Sequence, residues 1–205
     1  MSSNKPIIAL DADGVLLDYH QAYQAVWGMA FGEPPAVKDP LAYWPQDRFD
    51  VSRLVGEELE FFRGHFDEIF WATIPAIHGS VEACNALDEA GYELICVSAF
   101  DNKYLAAREE NLRNCGFPIG RVIATESGDN IVSPKSMALK EIQPVAFIDD
   151  YLPYLRGIPA SVHSALIMRD PNGSPNVGKE LELAHSMHAD LQDFSTWWLS
   201  TMHTL

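Results

Sequence analysis

Two aspartates, Asp11 and Asp13, follow the apolar run Ile7 to Leu10 and are themselves followed by Gly14. A short apolar run ending in turn residues reads as a buried parallel strand with an exposed carboxyl end. In open α/β sheets ligands sit at that end. Carboxylates so close repel one another, and holding both charged takes a cation or a shared proton. One reading is a nucleophilic aspartate, a neighbouring acid/base aspartate and a Mg²⁺ ion. The other is a strand closing in an Asp-Gly turn; on these residues alone the two are even. Later apolar runs end in polar residues too: Ser98 after ELICV, Asp149 and Asp150 after VAFI. Lys135 stands at the start of the helical stretch that feeds the last of these. Lys140 is its rival, and Lys135 is preferred because a residue ahead of the helix can reach the sheet edge.

Each residue type has a task in phosphoryl transfer. A carboxylate can accept the phosphoryl group. A second acid can protonate the leaving oxygen and later deprotonate water. Mg²⁺ takes oxygen ligands, commonly one or two carboxylates with waters and phosphate oxygens. A hydroxyl and an ammonium can hold the equatorial oxygens as charge develops. The set converges only if the strands are parallel, so the elements decide the matter.

The chain supplies them in the right rhythm. Strand-like runs occur at 7–10, 92–98, 121–125, 144–150 and 164–168, with helical stretches after Ser80, from Lys103 to Cys115, from Pro134, and from Leu191 to Met202. Ser80 suits a helix N-cap, and Gly91 and Gly116 suit helix ends. Alternation of this kind implies a parallel sheet with helices on both faces, an α/β, Rossmann-like core. Residues 19–73 break the pattern. They contain helical stretches interrupted by prolines, including Leu54 to Phe66, and Tyr19, Tyr23, Trp27 and Phe31 are spaced to share one helix face. We read a core of residues 1–18 and 74–205 with a small helical cap, 19–73, inserted after the first strand. Asp18 suits an N-cap at the hinge, and Asp101 suits loop chemistry. Twelve of the chain's 22 aromatic residues fall in the cap. That exceeds what a block of this size needs for its own core, so Trp27, Tyr43 and Trp44 are candidates for stacking on a substrate.

Composition narrows the partners. The formal net charge is -15, which disfavours duplex DNA or long RNA as a ligand. A small anion stays possible, because one bound metal reverses the local field. Cys84, Cys96 and Cys115 form no paired motif; the first two read as core residues. The seven histidines share no ligand spacing and read as surface residues. MSSNKP lacks the apolar centre of a leader and no run is long enough to span a membrane. A cytoplasmic protein, monomer or homodimer, is expected.

The motifs in order resemble those of haloacid dehalogenase (HAD) superfamily phosphatases: DADGV, a strand ending in Ser98, Lys135, and IDD at 148–150. The resemblance implies Asp11 as nucleophile and metal ligand. It implies Asp13 as general acid/base and as a ligand through its backbone carbonyl, Ser98 and Lys135 on the phosphate, and Asp149 with Asp150 on Mg²⁺. An acid at position 13 is what phosphate esters need, and dehalogenases of the superfamily lack it. Among the phosphatases the layout is most similar to the 5'(3')-deoxyribonucleotidases, with an aromatic-rich cap and a Lys-Tyr pair (Lys103, Tyr104) after the second motif. The expectation is a Mg²⁺-dependent phosphatase of small phosphate monoesters acting through an aspartyl-phosphate, with a nucleoside monophosphate as one candidate substrate. Its alternatives are a sugar- or organic-phosphate phosphatase or phosphomutase, a receiver-type phosphorylation switch, or a non-catalytic phosphate-binding module. The order of the acids and the presence of a cap argue against the receiver.

Overall fold

In the computed structural model, which describes residues 5–128 and 131–202, six strands form one parallel sheet in the order β3-β2-β1-β4-β5-β6. They are β1 (Ile7–Leu10), β2 (Glu93–Ala99), β3 (Ile119–Thr125), β4 (Ala146–Asp149), β5 (His163–Ile167) and β6 (Ser186–His188). Residues 1–4, on which the reading of the amino terminus falls, lie outside the described residues. The chain lays β2 and β3 to one side of β1, then returns to place β4 on the other. The reversal point therefore falls between β1 and β4, where a crevice opens at the strands' carboxyl ends.

Alternation along the strands divides the core into two layers. Ile8, Leu10, Leu94, Cys96, Ile148 and Ile167 face one side, with Cys84 and Leu87 of α5 (Ser80–Glu89), Leu112 of α6 (Leu105–Cys115) and Phe194 of α8 (Leu191–Met202). Ala9, Ile95, Val97, Phe147 and Leu166 face the other, with Leu139 and Ile142 of α7 (Ser136–Ile142). Helices on both faces are as the sequence pattern requires. Cys84 and Cys96 are buried in the first layer.

Local chemistry differs from expectation in three places. Ser80 does not cap α5. Its hydroxyl donates to the carbonyls of Leu16 and Ile77 at 2.9 and 2.7 Å, and left-handed Gly79 takes the cap position. The sixth strand went unread because it has three residues, too few to show a period. His20 and His188 are buried, not superficial. Asp18 does cap its helix, accepting from the Gln21 amide at 2.9 Å, and Asp101 closes its own turn on the Lys103 amide at 3.0 Å.

Residues 19–73 fold as α1 (Tyr19–Phe31), α2 (Pro45–Arg48), α3 (Gly56–Arg63) and α4 (Glu68–Thr73). The expected Leu54-to-Phe66 helix is shorter, and Asp67 starts a new one by accepting from the Phe70 amide. The α1 face of Tyr23, Trp27 and Phe31 meets Phe62, with ring centroids 5.4, 5.1 and 5.9 Å away. Edge-to-face contacts such as Trp27–Phe62 contribute beyond the area they bury. No helix among the described residues is long and apolar enough to cross a membrane.

Candidate active site

A tight turn carries the chain out of β1. The Ala12 carbonyl accepts from the amides of Leu16 and Leu17 at 2.8 and 2.9 Å. Gly14 sits at φ +87 to allow it; a Cβ there would collide with the Asp150 carboxylate and lie 2.6 Å from Arg169 Nε. The Asp11 amide donates to Ile148 at 2.9 Å, continuing the β1–β4 pairing beyond the strand. Asp11 is thereby held beside the end of β4, which carries Asp149 and Asp150. One carboxylate oxygen from each of Asp11, Asp149 and Asp150 lies within 4.8 Å of the others, and all three residues are buried.

Three cations are set among these acids. Lys135, fully buried, places its ammonium 2.7 Å from Asp11 and 2.6 Å from Asp149. Burial opposes its charge, but the two carboxylates prevail and raise its pKa. Arg169, which follows β5, donates from Nε to Asp150 at 2.6 Å and from Nη1 to Asp170 at 2.6 Å. Arg108 of α6 donates from Nη2 to both oxygens of Asp13, at 3.0 and 2.8 Å. Burial nevertheless raises the pKa of Asp13 above the ordinary carboxylate range. It does the same to Asp149 and Asp150 against the pull of Lys135 and Arg169. Around the Asp11–Asp149–Asp150 cluster itself three carboxylates meet two cations, Lys135 and Arg169. Oxygen donors, buried, close together and in electrostatic excess, fit a hard divalent cation such as Mg²⁺.

A cavity of about 620 Å³ opens over this cluster, within the usual range of small-molecule sites. Asp11, Asp13, Ser98, Asp150 and Arg169 form its floor. Tyr19, Tyr23, Tyr43 and Trp44 from the helical insert form part of its wall, together with Tyr154 and with Tyr151, whose ring meets Trp44 at 6.3 Å. The structure therefore brings Asp11, Asp13, Ser98, Asp150, Tyr43 and Trp44 together. Asp149 and Lys135 lie behind the floor; Lys140 is on the exposed side of α7, and Lys103 is exposed and paired with Asp101 at 3.1 Å. Trp27 is 9% exposed inside the ring cluster of the insert and away from this cavity. Tyr43 is buried with its hydroxyl 3.2 Å from both the carbonyl and the carboxylate of Asp150. Trp44 is 36% exposed on the wall.

Arg108, Arg169 and Asp170 escaped the sequence reading. Arg169 and Asp170 follow the fifth apolar run as Asp11 and the Asp149–Asp150 pair follow theirs, so that signal was present. Arg108 gave only a weak one, a polar residue on the helix stripe shared by Asn111 and Cys115.

No family model and no curated protein matches the sequence. The fold does have solved counterparts. A HAD family hydrolase from Deinococcus radiodurans R1, solved with bound phosphate and sodium, superposes with a TM-score of 0.61 at 17% identity, covering 96% of this chain and 97% of that one. A predicted phosphoglycolate phosphatase from Haemophilus somnus 129PT gives 0.61 at 16% identity, with 96% and 99% covered. A dehalogenase with an intermediate complex gives 0.59 at 13% identity, with 97% of each chain covered. The fold is therefore that of the HAD hydrolases.

Proposed function

We propose that the chain is a Mg²⁺-dependent phosphatase of small phosphate monoesters. The observation that carries this is the convergence of Asp11, Asp13, Ser98 and the Asp149–Asp150 pair at one sheet edge under one cavity. An oxygen of Asp11 attacks phosphorus as the ester P–O bond breaks. Asp13 gives its proton to the departing alkoxide, and an aspartyl-phosphate remains on Asp11. Asp13, now a carboxylate, takes a proton from water as that water attacks phosphorus; the Asp11–phosphorus bond breaks and phosphate leaves. Ser98 donates to a phosphoryl oxygen. Lys135 holds Asp11 and Asp149 in place from beneath. Asp11, Asp149 and Asp150, with the backbone of Asp13, would hold Mg²⁺. When bound, the metal would supply positive charge opposite the phosphoryl oxygens. Helices α1–α4 act as the cap. A dehalogenase shares this fold, so the fold does not choose the reaction. Asp13 favours phosphate esters, since an alkoxide leaving group needs a proton and a halide does not.

The test is phosphate release from a panel of monoesters, with Mg²⁺ and with EDTA. Release that needs the metal is expected; none on any ester overturns the reading. For the finer question we favour a nucleoside monophosphate, its base against Trp44, which is the exposed ring on the cavity wall. Stacking of a base on an aromatic contributes roughly 1–3 kcal/mol, or about tenfold and more in preference. Catalytic efficiency on nucleotides should exceed that on ribose 5-phosphate, and Trp44→Ala should shrink the difference. If sugars do as well, or the variant affects both alike, the substrate is a generic small phosphate.

A further inference from the structure

We propose that Arg108 is a positioning residue, one that fixes the Asp13 carboxylate for proton transfer and ties it to the point where the chain returns from the helical insert. The inference rests on the phosphatase reading above. Arg108 is fully buried, an expensive place for a guanidinium. Among the described residues its only side-chain hydrogen bonds go from Nη2 to the two oxygens of Asp13, and Nε and Nη1 find no hydrogen-bond partner there. The guanidinium packs instead beside two rings that stack on each other, 5.0 Å from Trp71 and 5.4 Å from Phe100. An arginine kept for neutralisation alone would also satisfy its remaining donors, whereas here they are given up for one contact held in a fixed plane.

The surroundings say what that plane is referred to. Trp71 belongs to α4, the last helix of the insert, and stacks on both Phe100 and Tyr104. One turn beyond Arg108, Asn111 donates to the Ile74 carbonyl at 2.8 Å, where the insert rejoins the sheet domain. Cys115 approaches the same carbonyl at 3.7 Å. A single face of α6 therefore grips the end of the insert at Ile74 and Trp71, and Asp13 through Arg108. The rotamer of Asp13 is set by where the insert sits. With the insert seated, the acid is aimed and held. An insert displaced at Trp71 loses one of the rings that keep Arg108 in plane.

The experiment compares two esters in the Mg²⁺-loaded protein: p-nitrophenyl phosphate, whose phenolate leaves without a proton, and glycerol 2-phosphate, whose alkoxide does not. Arg108→Met should cut kcat/KM, which reports only the steps through departure of the alcohol, by about 10²-fold on glycerol phosphate, the scale of a small misplacement of a reacting group, and by less than about tenfold on the aryl ester. Arg108→Lys keeps a buried cation without the two-oxygen grip. It should show the same preference in milder form, and it carries the comparison should the Met variant not fold, as judged by its melting temperature. Asp13→Asn combined with Arg108→Lys should be no slower on glycerol phosphate than Asp13→Asn alone. Equal losses in kcat/KM on the two esters in a folded variant, or losses that multiply in the double variant, overturn the inference while leaving the phosphatase reading intact. A wild-type protein that turns over neither ester overturns both.

Discussion

At the scale of single residues, the site depends on a few atoms that have no room to change. Asp11→Asn removes the charge that attacks phosphorus and keeps the shape. We expect a folded protein with no measurable phosphate release, and wild-type turnover from it would show that Asp11 is not the nucleophile. Gly14 is a stricter case. An alanine there must adopt a left-handed φ, costing about 1 kcal/mol, and its methyl falls on the Asp150 carboxylate and Arg169. Gly14→Ala should lower the melting temperature and abolish activity, because the carboxylate it displaces belongs to the candidate metal centre. Near-normal turnover would mean that Asp150 is free to move. The acids were legible in the sequence because each stands where an apolar run stops, and a strand end is a place the pattern marks. Arg169 stands in such a place as well, but a basic residue there was not sought among acids. Arg108 lies within a helix, where periodicity assigns a face and cannot say that α4 will cover it. Trp27 failed for the same reason, since its spacing on α1 is clear but only the packing of Phe62 decides that it points into the insert.

At the scale of elements, the sheet edge away from β3 is finished by histidines. His163 of β5 and His188 of β6 both contact the Ser186 hydroxyl, at 2.8 and 2.9 Å, and His188 meets Asp193 of α8 at 3.2 Å. Trp197 lies 5.4 and 5.1 Å from the two rings. Burial, with His185 and His188 adding to it, lowers the His163 pKa from its ordinary 6.5 to about 4. The folded state therefore favours the neutral ring. Its contribution to stability is complete above pH 6.5 and is lost as pH falls towards 4. His163→Asn should melt lower than wild type at pH 7.5, and the gap should close by pH 4.5. A gap that stays constant across that interval would place the pH sensitivity elsewhere. Of this edge the sequence shows β5 and α8 but neither β6 nor the histidines' burial: β6 is too short to announce itself, and histidines without ligand spacing carry no sign of being buried.

At the scale of the whole molecule, the excess of negative charge and the candidate metal site belong to one account. A cation that binds only the folded site stabilises it, by about 2.7 kcal/mol at a hundredfold excess over Kd. For a chain of this size that is roughly 5–10 °C in melting temperature. Mg²⁺ should produce a shift of that order in wild type and much less in Asp150→Asn; an unchanged wild-type melt would remove the metal from the mechanism. The layered α/β architecture, and helices rather than strands between β1 and α5, were readable because both periods, two and about 3.6, are strong over these lengths. What the periods did not carry is how the insert is fastened. Besides its two chain junctions, it is clasped to the loop after β5. Arg48 pairs with Asp170 at 3.0 Å, the Tyr43 amide donates to the Asn172 carbonyl at 2.9 Å, and Asn172 returns bonds to Leu41 and Asp39 at 3.0 and 2.9 Å. Held on both banks, the insert is a bridge over the crevice and not a door hung from one side. A bridge sets the clearance beneath it. On the phosphatase reading proposed above, a span tied at both ends suits small phosphate esters, and a phosphorylated folded protein should release phosphate far more slowly than they do.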